Sequence, residues 1–83
     1  MRIELYSAPW CSQCVTLKKI LNEINIDYNL IDIDTPEGAA KAQEDKVKSL
    51  PTTIITTDNI RVIEVGSKNK SHWLGIFAEL IKE

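Results

Sequence analysis

Two cysteines stand three residues apart in the stretch SAPWCSQC, and Cys11 and Cys14 are the only cysteines in a chain of 83 residues. Thiols at this spacing can form half of a metal site, a structural disulfide, or a pair that cycles between dithiol and disulfide. A tetrahedral metal site needs four ligands, and the chain adds only His72, which has no ligand spacing around it. We therefore expect no metal site, and we expect His72 to be exposed in the first turn of the last helix.

The composition bounds the compartment and the partners. A net charge of −2 without a basic run argues against nucleic acid as a partner. The first residues do not have the pattern of a signal peptide, and no apolar segment has the length needed to cross a bilayer. We expect a cytoplasmic protein without a membrane partner. Thiols are kept reduced in the cytoplasm, which disfavours a permanent structural disulfide.

The cysteines lie between a short strand and a helix. Residues 2–7 alternate between two faces, with Ile3 and Leu5 on one of them, which predicts a strand. From residue 12 to residue 25 the apolar spacing becomes that of an amphipathic helix, marked by Leu17, Ile20, Leu21 and Ile24. The pair is therefore expected at a strand-to-helix turn.

The rest of the chain predicts an α/β domain. Residues 26–34 predict a second strand, apolar on both faces at Leu30 and Ile31, which favours a sheet covered on both sides. Thr35 and Pro36 predict the start of a helix that continues to about residue 46. Residues 52–56 and 60–65 predict an antiparallel hairpin, and the last helix runs to the C-terminus. The order β-α-β-α-β-β-α predicts one domain over residues 1–83, in three layers around a mixed four-stranded sheet.

The two thiols are expected to have different chemical roles because they occupy different positions at the start of the helix. Free N–H groups and the helix dipole favour negative charge there, so the pKa of the Cys11 thiol should fall below its free value of about 8.5. Cys14 lies one turn farther into the helix and should be less exposed. We expect Cys11 to attack a disulfide and Cys14 to resolve the mixed disulfide.

The stretch KSLPTTII holds a second candidate for the functional site, Pro51. Pro51 directly precedes a β-rich run. It can be a trans proline that starts a strand. It can also follow a cis Leu50–Pro51 bond, which would turn the chain tightly beside the cysteines, although only about 5–6% of such bonds are cis.

Taken together, Trp10-Cys11-Ser12-Gln13-Cys14, Leu50-Pro51-Thr52 and the order of elements resemble the thioredoxin superfamily. The chain is similar to small glutaredoxins and to the glutaredoxin-like redoxins that reduce ribonucleotide reductase. The resemblance implies a thioredoxin-like fold, Cys11 as nucleophile, Cys14 as resolving thiol and a cis Pro51 beside them. It also implies a substrate-binding surface, which consists of Trp10, Leu50, Pro51, Gly66 and Ser67. The backbone of Leu50 is the docking edge of this surface.

The departures from this pattern bear on the reductant. Thioredoxins place a buried Asp, a proton acceptor, where this chain has Leu5. Glutaredoxins follow the last strand with Gly and an acidic pair that holds glutathione, whereas residues 65–70 contain no acid. The acids Asp32 and Asp34 are interpreted as ordinary strand-end charges.

We therefore predict a monomeric dithiol–disulfide oxidoreductase that needs no cofactor and reduces disulfides in protein substrates. Thioredoxin reductase or glutathione would supply its electrons, and ribonucleotide reductase is a client by resemblance only. Three alternatives stay open: a glutathione-dependent glutaredoxin, a non-catalytic binding module with this fold, and a dimeric iron–sulfur carrier.

Overall fold

The strand that precedes the cysteines forms the centre of the molecule. In the computed structural model, which describes residues 1–81, β1 (Arg2–Ser7) pairs in parallel with β2 (Asn29–Asp32) and antiparallel with β3 (Thr52–Thr56). An antiparallel hairpin adds β4 (Arg61–Val65), so the sheet order is β2-β1-β3-β4. The mixed four-stranded sheet and the order of elements confirm the prediction.

Helices cover both faces of this sheet. On one face, α1 (Ser12–Glu23) and α3 (Lys70–Ile81) bury a core with β1 and β3. This core consists of Ile3, Leu5, Leu17, Leu21, Ile55, Trp73 and Phe77. On the other face, α2 (Pro36–Glu44) places Ala42 against Tyr6 and Ile54. The three-layer arrangement is therefore as predicted, and no helix within residues 1–81 has the length and apolar character that crossing a bilayer requires.

The predicted ends of the first two helices, at residue 25 and about residue 46, were wrong for one physical reason. In the structure α1 ends at Glu23 and α2 ends at Glu44. After α1, Asn25 adopts a left-handed conformation with φ 58°, and the Ile26 N–H donates to the Leu21 carbonyl at 3.0 Å. After α2, Lys46 also has φ 58°, and the Val47 N–H donates to the Ala42 carbonyl at 2.8 Å. Both are Schellman caps, which satisfy the last helical carbonyls and reverse the chain.

The caps displace the elements that follow. Residues 26–28 leave the first cap instead of pairing, so β2 begins at Asn29 and not at residue 26. β2 is also an edge strand, and Leu30 is half exposed, so the apolar pair Leu30-Ile31 does not mark a strand buried on both faces. The central strands β1 and β3 show that the sheet is covered on both sides, since their residues are almost all buried.

A partly buried polar cluster fixes α2 to the sheet. The Tyr6 hydroxyl donates to the Asp45 carboxylate and, at 3.3 Å, to the Lys41 carbonyl. Burial of Tyr6, and then its hydrogen bond to Asp45, raise the pKa of the phenol well above its ordinary value. The buried Glu4 accepts from Lys41 at 3.1 Å, which adds a second tie between β1 and α2.

Candidate active site

Cys11 and Cys14 form a disulfide at the N-terminus of α1, with their Cα atoms 5.3 Å apart. Cys11 is the N-cap residue, with extended backbone, and its Sγ accepts a hydrogen bond from the Cys14 N–H at 3.2 Å. The first turn of α1 carries no acidic residue, so nothing there offsets the positive end of the helix dipole. This position can stabilise a thiolate at Cys11 once the disulfide is open.

The two sulfur-bearing residues differ in exposure. Cys11 is 8% exposed and Cys14 is fully buried. The two residues form a small buried cluster with Ala8, and the partly buried Ile33 and Leu50 pack against this cluster. An incoming disulfide can therefore reach Cys11, while Cys14 is placed to react only with Cys11.

The Leu50–Pro51 bond is cis, which confirms the prediction, and Leu50 packs against the cluster that contains the two cysteines. The Thr52 hydroxyl donates to the Ser49 carbonyl at 2.7 Å and holds the turn. Leu50 has no backbone hydrogen bond to any residue of the described part of the chain. Its peptide groups can therefore pair with an extended substrate.

The loop after β4 reaches the same end of the sheet. The Gly66 N–H donates to the Pro51 carbonyl at 2.7 Å, and Gly66 has φ 90°, a conformation that favours glycine. The structure thus brings Gly66 beside Pro51. Ser67 follows it and is partly exposed, but no contact joins its side chain to the cysteine pair in the described residues.

Trp10 stands exposed beside Cys11 and has a partner that the sequence did not indicate. Its Nε1 donates to the two carboxylate oxygens of Asp34 at 3.1 and 3.3 Å. The interpretation of Asp34 as an ordinary strand-end charge did not include this hydrogen bond. The backbone N–H of Asp34 donates to an Asp32 carboxylate oxygen at 2.9 Å, which holds the turn after β2.

An apolar groove of about 410 Å³ adjoins the cysteines and was also missed. Trp10, Cys11, Ile33 and Leu50 form its near side. Its far side comes from α2 and the segment after it, and consists of Ala39, Ala42, Gln43, Val47, Lys48 and Ser49. The alanines of α2 were a signal in the sequence, because small side chains on a covering helix leave room for a ligand.

The remaining titratable groups do not extend this site. His72 is exposed in the first turn of α3, as expected, and its Nε2 lies 2.6 Å from Glu64 Oε1. Among residues 1–81, no group of three or more His, Cys, Asp and Glu side chains has the geometry to hold a metal ion. The structure brings Cys11, Cys14, Trp10, Leu50, Pro51 and Gly66 to one end of the sheet. Their roles stay predictions.

The family model for glutaredoxin matches residues 3–59. The thioredoxin of Staphylococcus saprophyticus is 32% identical over 62 residues, which cover 70% of this chain and 60% of that protein. Thioredoxin 1 of Synechococcus elongatus is 30% identical over 59 residues, which cover 66% of this chain and 55% of that protein. The chain thus matches less than two thirds of the length of either relative.

Solved structures agree with this fold. The NrdH-redoxin of Escherichia coli, described as a glutaredoxin-like protein with a thioredoxin-like activity profile, is 28% identical with a TM-score of 0.63. The superposition covers 82% of this chain and 86% of that protein. Thioredoxin 1 of Thermosipho africanus has a TM-score of 0.77 over 99% of this chain and 96% of its own, and at 21% identity it shows the fold alone.

Proposed function

Since the chain belongs to the glutaredoxin family, we propose that it is a thiol–disulfide oxidoreductase that reduces disulfides in protein substrates. One observation carries this proposal. A disulfide at a helix N-terminus joins Cys11, which is 8% exposed and lines an apolar groove, to the fully buried Cys14.

The reaction follows from the difference in exposure. The Cys11 thiolate attacks one sulfur of the client disulfide, a mixed disulfide forms, and the other client sulfur leaves with the electron pair and takes a proton. The Cys14 thiolate then attacks the Cys11 sulfur. The Cys11–Cys14 bond forms, the bond to the client breaks, and the second client sulfur leaves as a thiolate. The client gains two electrons, and the oxidised form is the one seen here.

The substrate surface is expected to bind an extended client segment. The free peptide groups of Leu50 offer strand-like hydrogen bonds. The groove between Trp10 and α2 offers an apolar pocket for a neighbouring client side chain. Such a surface suits a protein disulfide better than a small polar thiol.

We propose a thioredoxin reductase as the electron source, in preference to glutathione. The segment after β4 carries Lys68 and Lys70 but no acid that could hold the amino group of glutathione. The Lys68 ammonium is also engaged, since it donates to the Val65 carbonyl at 2.6 Å. The thioredoxin-like profile of the Escherichia coli redoxin supports the same choice. A cytoplasmic location, a monomeric state and ribonucleotide reductase as client belong to this proposal as expectations.

The test is reduction of insulin disulfides with two electron sources in parallel. One reaction contains NADPH and thioredoxin reductase, and the other contains NADPH, glutathione and glutathione reductase. We expect turnover with the first source, slower turnover with the second, and none with the Cys11→Ser variant in either. No insulin reduction under either condition would refute the oxidoreductase and favour a binding module. Equal or faster turnover with glutathione would refute the choice of reductant.

A further inference from the structure

Two side-chain polar atoms in the described part of the chain are buried without a hydrogen-bond partner: Thr53 Oγ1 and Trp73 Nε1. Both residues are fully buried. Leaving a hydroxyl or indole N–H unpaired in a core costs free energy, so such groups are uncommon and call for an explanation. Thr53 has the more informative position.

The strand register places Thr53 on the sheet face that α1 covers, towards the end of the sheet where the cysteines lie. Ile55 belongs to the core under α1 and α3, and Thr53, two residues earlier on β3, faces the same side. Pro51 precedes Thr53 by another two residues, at the end of the sheet where Leu50 contacts the cysteine pair. Across the strands, Thr53 lies opposite Leu5 on one side and Glu64 on the other.

The helix above follows the same order. Leu21, Leu17 and Cys14 are fully buried on the inner face of α1, and Cys14 is nearest its N-terminus. Leu17 packs in the same core as Leu5 and Ile55. Going towards the active end, Cys14 continues the buried row of α1, and Thr53 continues the buried row of β3.

Reduction changes what Cys14 offers to a hydroxyl. In the disulfide, its sulfur is bonded to Cys11 and is a weak acceptor. Reduction by a dithiol breaks this bond and leaves an electron pair on each cysteine sulfur, while the dithiol becomes a disulfide and releases two protons. Cys14 is then a thiol or thiolate that needs a partner in a dry core. Leu5, opposite Thr53, supplies no polar atom.

We propose that the Thr53 hydroxyl is the hydrogen-bond partner of reduced Cys14, directly or through one buried water. The hydroxyl is unpartnered in the oxidised form because the disulfide sulfur is only a weak acceptor, and reduction supplies a stronger one. It stabilises the dithiol form and the Cys14 thiolate that resolves the mixed disulfide. This inference rests on the proposed redox function of the pair.

The test compares Thr53→Val, which has nearly the same shape without the hydroxyl, with Thr53→Ser, which keeps it. The dithiol–disulfide equilibrium of each variant is measured against mixtures of reduced and oxidised dithiothreitol. We expect Thr53→Val to shift the equilibrium about fivefold towards the disulfide, the factor given by one average hydrogen bond. Thr53→Ser should stay within about twofold of the parent. Ile55→Val, one pleat farther from the cysteines, controls for a small change in the same strand and should not shift it.

Thermal melting of the two redox states separates this role from a structural one. Thr53→Val should raise the Tm of the oxidised form, which loses an unpaired hydroxyl, and should not raise that of the reduced form. An unchanged equilibrium with equal Tm shifts in both states would overturn the inference. The titration uses neither client nor reductase, so that result would leave the oxidoreductase standing. Absence of insulin turnover would refute the oxidoreductase without preventing the titration.

Discussion

Tyr6 gives a prediction whose size can be worked out from the structure. Tyr6→Phe removes the hydrogen bonds that the phenol donates to the Asp45 carboxylate and the Lys41 carbonyl. A hydrogen bond to a charged group contributes roughly 1.5–3 kcal/mol. Asp45 keeps Arg61 at 3.4 Å and stays partly open to water, so it is not left as an isolated buried charge. The expected loss in the free energy of unfolding is therefore near the lower end of this range, about 1–2 kcal/mol.

The expected result is a lower melting temperature at neutral pH. For a domain of this size, 1 kcal/mol corresponds to about 4–8 °C in Tm. Tyr28→Phe is the matched control, because its hydroxyl is 3.5 Å from the Asn22 side chain on the exposed surface. The control should leave the Tm nearly unchanged. Equal Tm values for Tyr6→Phe and Tyr28→Phe would refute the reasoning.

The dependence of stability on alkaline pH tests the electrostatic contribution of Tyr6. Burial and Asp45 raise the pKa of folded Tyr6 above the ordinary value of 10.0 that it recovers on unfolding. The folded state therefore holds a proton that the unfolded state releases, and the stability contributed by Tyr6 is complete below pH 10 and falls as the pH rises above it. Urea unfolding at rising pH should show a smaller alkaline loss of stability in Tyr6→Phe than in the parent. Parallel losses in the two proteins would contradict this assignment.

Three further predictions concern the site. Cys14→Ser should accumulate a client mixed disulfide on Cys11, visible on non-reducing gels, whereas Cys11→Ser should trap none, because the remaining Cys14 is buried. Asp34→Ala should raise the KM for insulin about two- to fivefold, since it releases an exposed Trp10 hydrogen bond, with little change in kcat. Gly66→Ala should lower the stability by about 1–2 kcal/mol in urea unfolding, because its positive φ disfavours a side chain.

Each of these three predictions has a control variant or an outcome that would contradict it. Trapping on Cys14 instead of Cys11 would reverse the proposed roles. Asp27→Ala removes an exposed carboxylate elsewhere, so an equal rise in KM would point to net charge and not to Trp10. A Cβ at Gly75, inside α3, would meet no heavy atom of residues 1–81 within 4 Å, so Gly75→Ala should stabilise the protein by about 0.5–1 kcal/mol. A destabilised Gly75→Ala with a neutral Gly66→Ala would contradict the backbone argument.

Local patterns were sufficient for most of the fold. The alternation of residues 2–7, the apolar spacing along α1 and the Thr35-Pro36 cap each depend on neighbours within one or two turns, and the structure has these elements where the sequence predicts them. The helix ends were predicted less well, because Asn25 and Lys46 adopt left-handed caps without the glycine that usually signals one. The cis bond at Pro51 was expected through the family resemblance, since proline alone does not specify it.

The sequence by itself determined the cysteine pair, its position at a helix start and the order of the elements, because these depend on spacing along the chain. Only the tertiary structure decided what surrounds the pair. Asp34 meets Trp10 across 24 positions, and α2 becomes a groove wall through the packing of the layers. Thr53 faces the core under α1 because of its place in β3, which pairs with β1. Contacts of this kind depend on the strand order and register of the folded sheet, and no short stretch of sequence contains them.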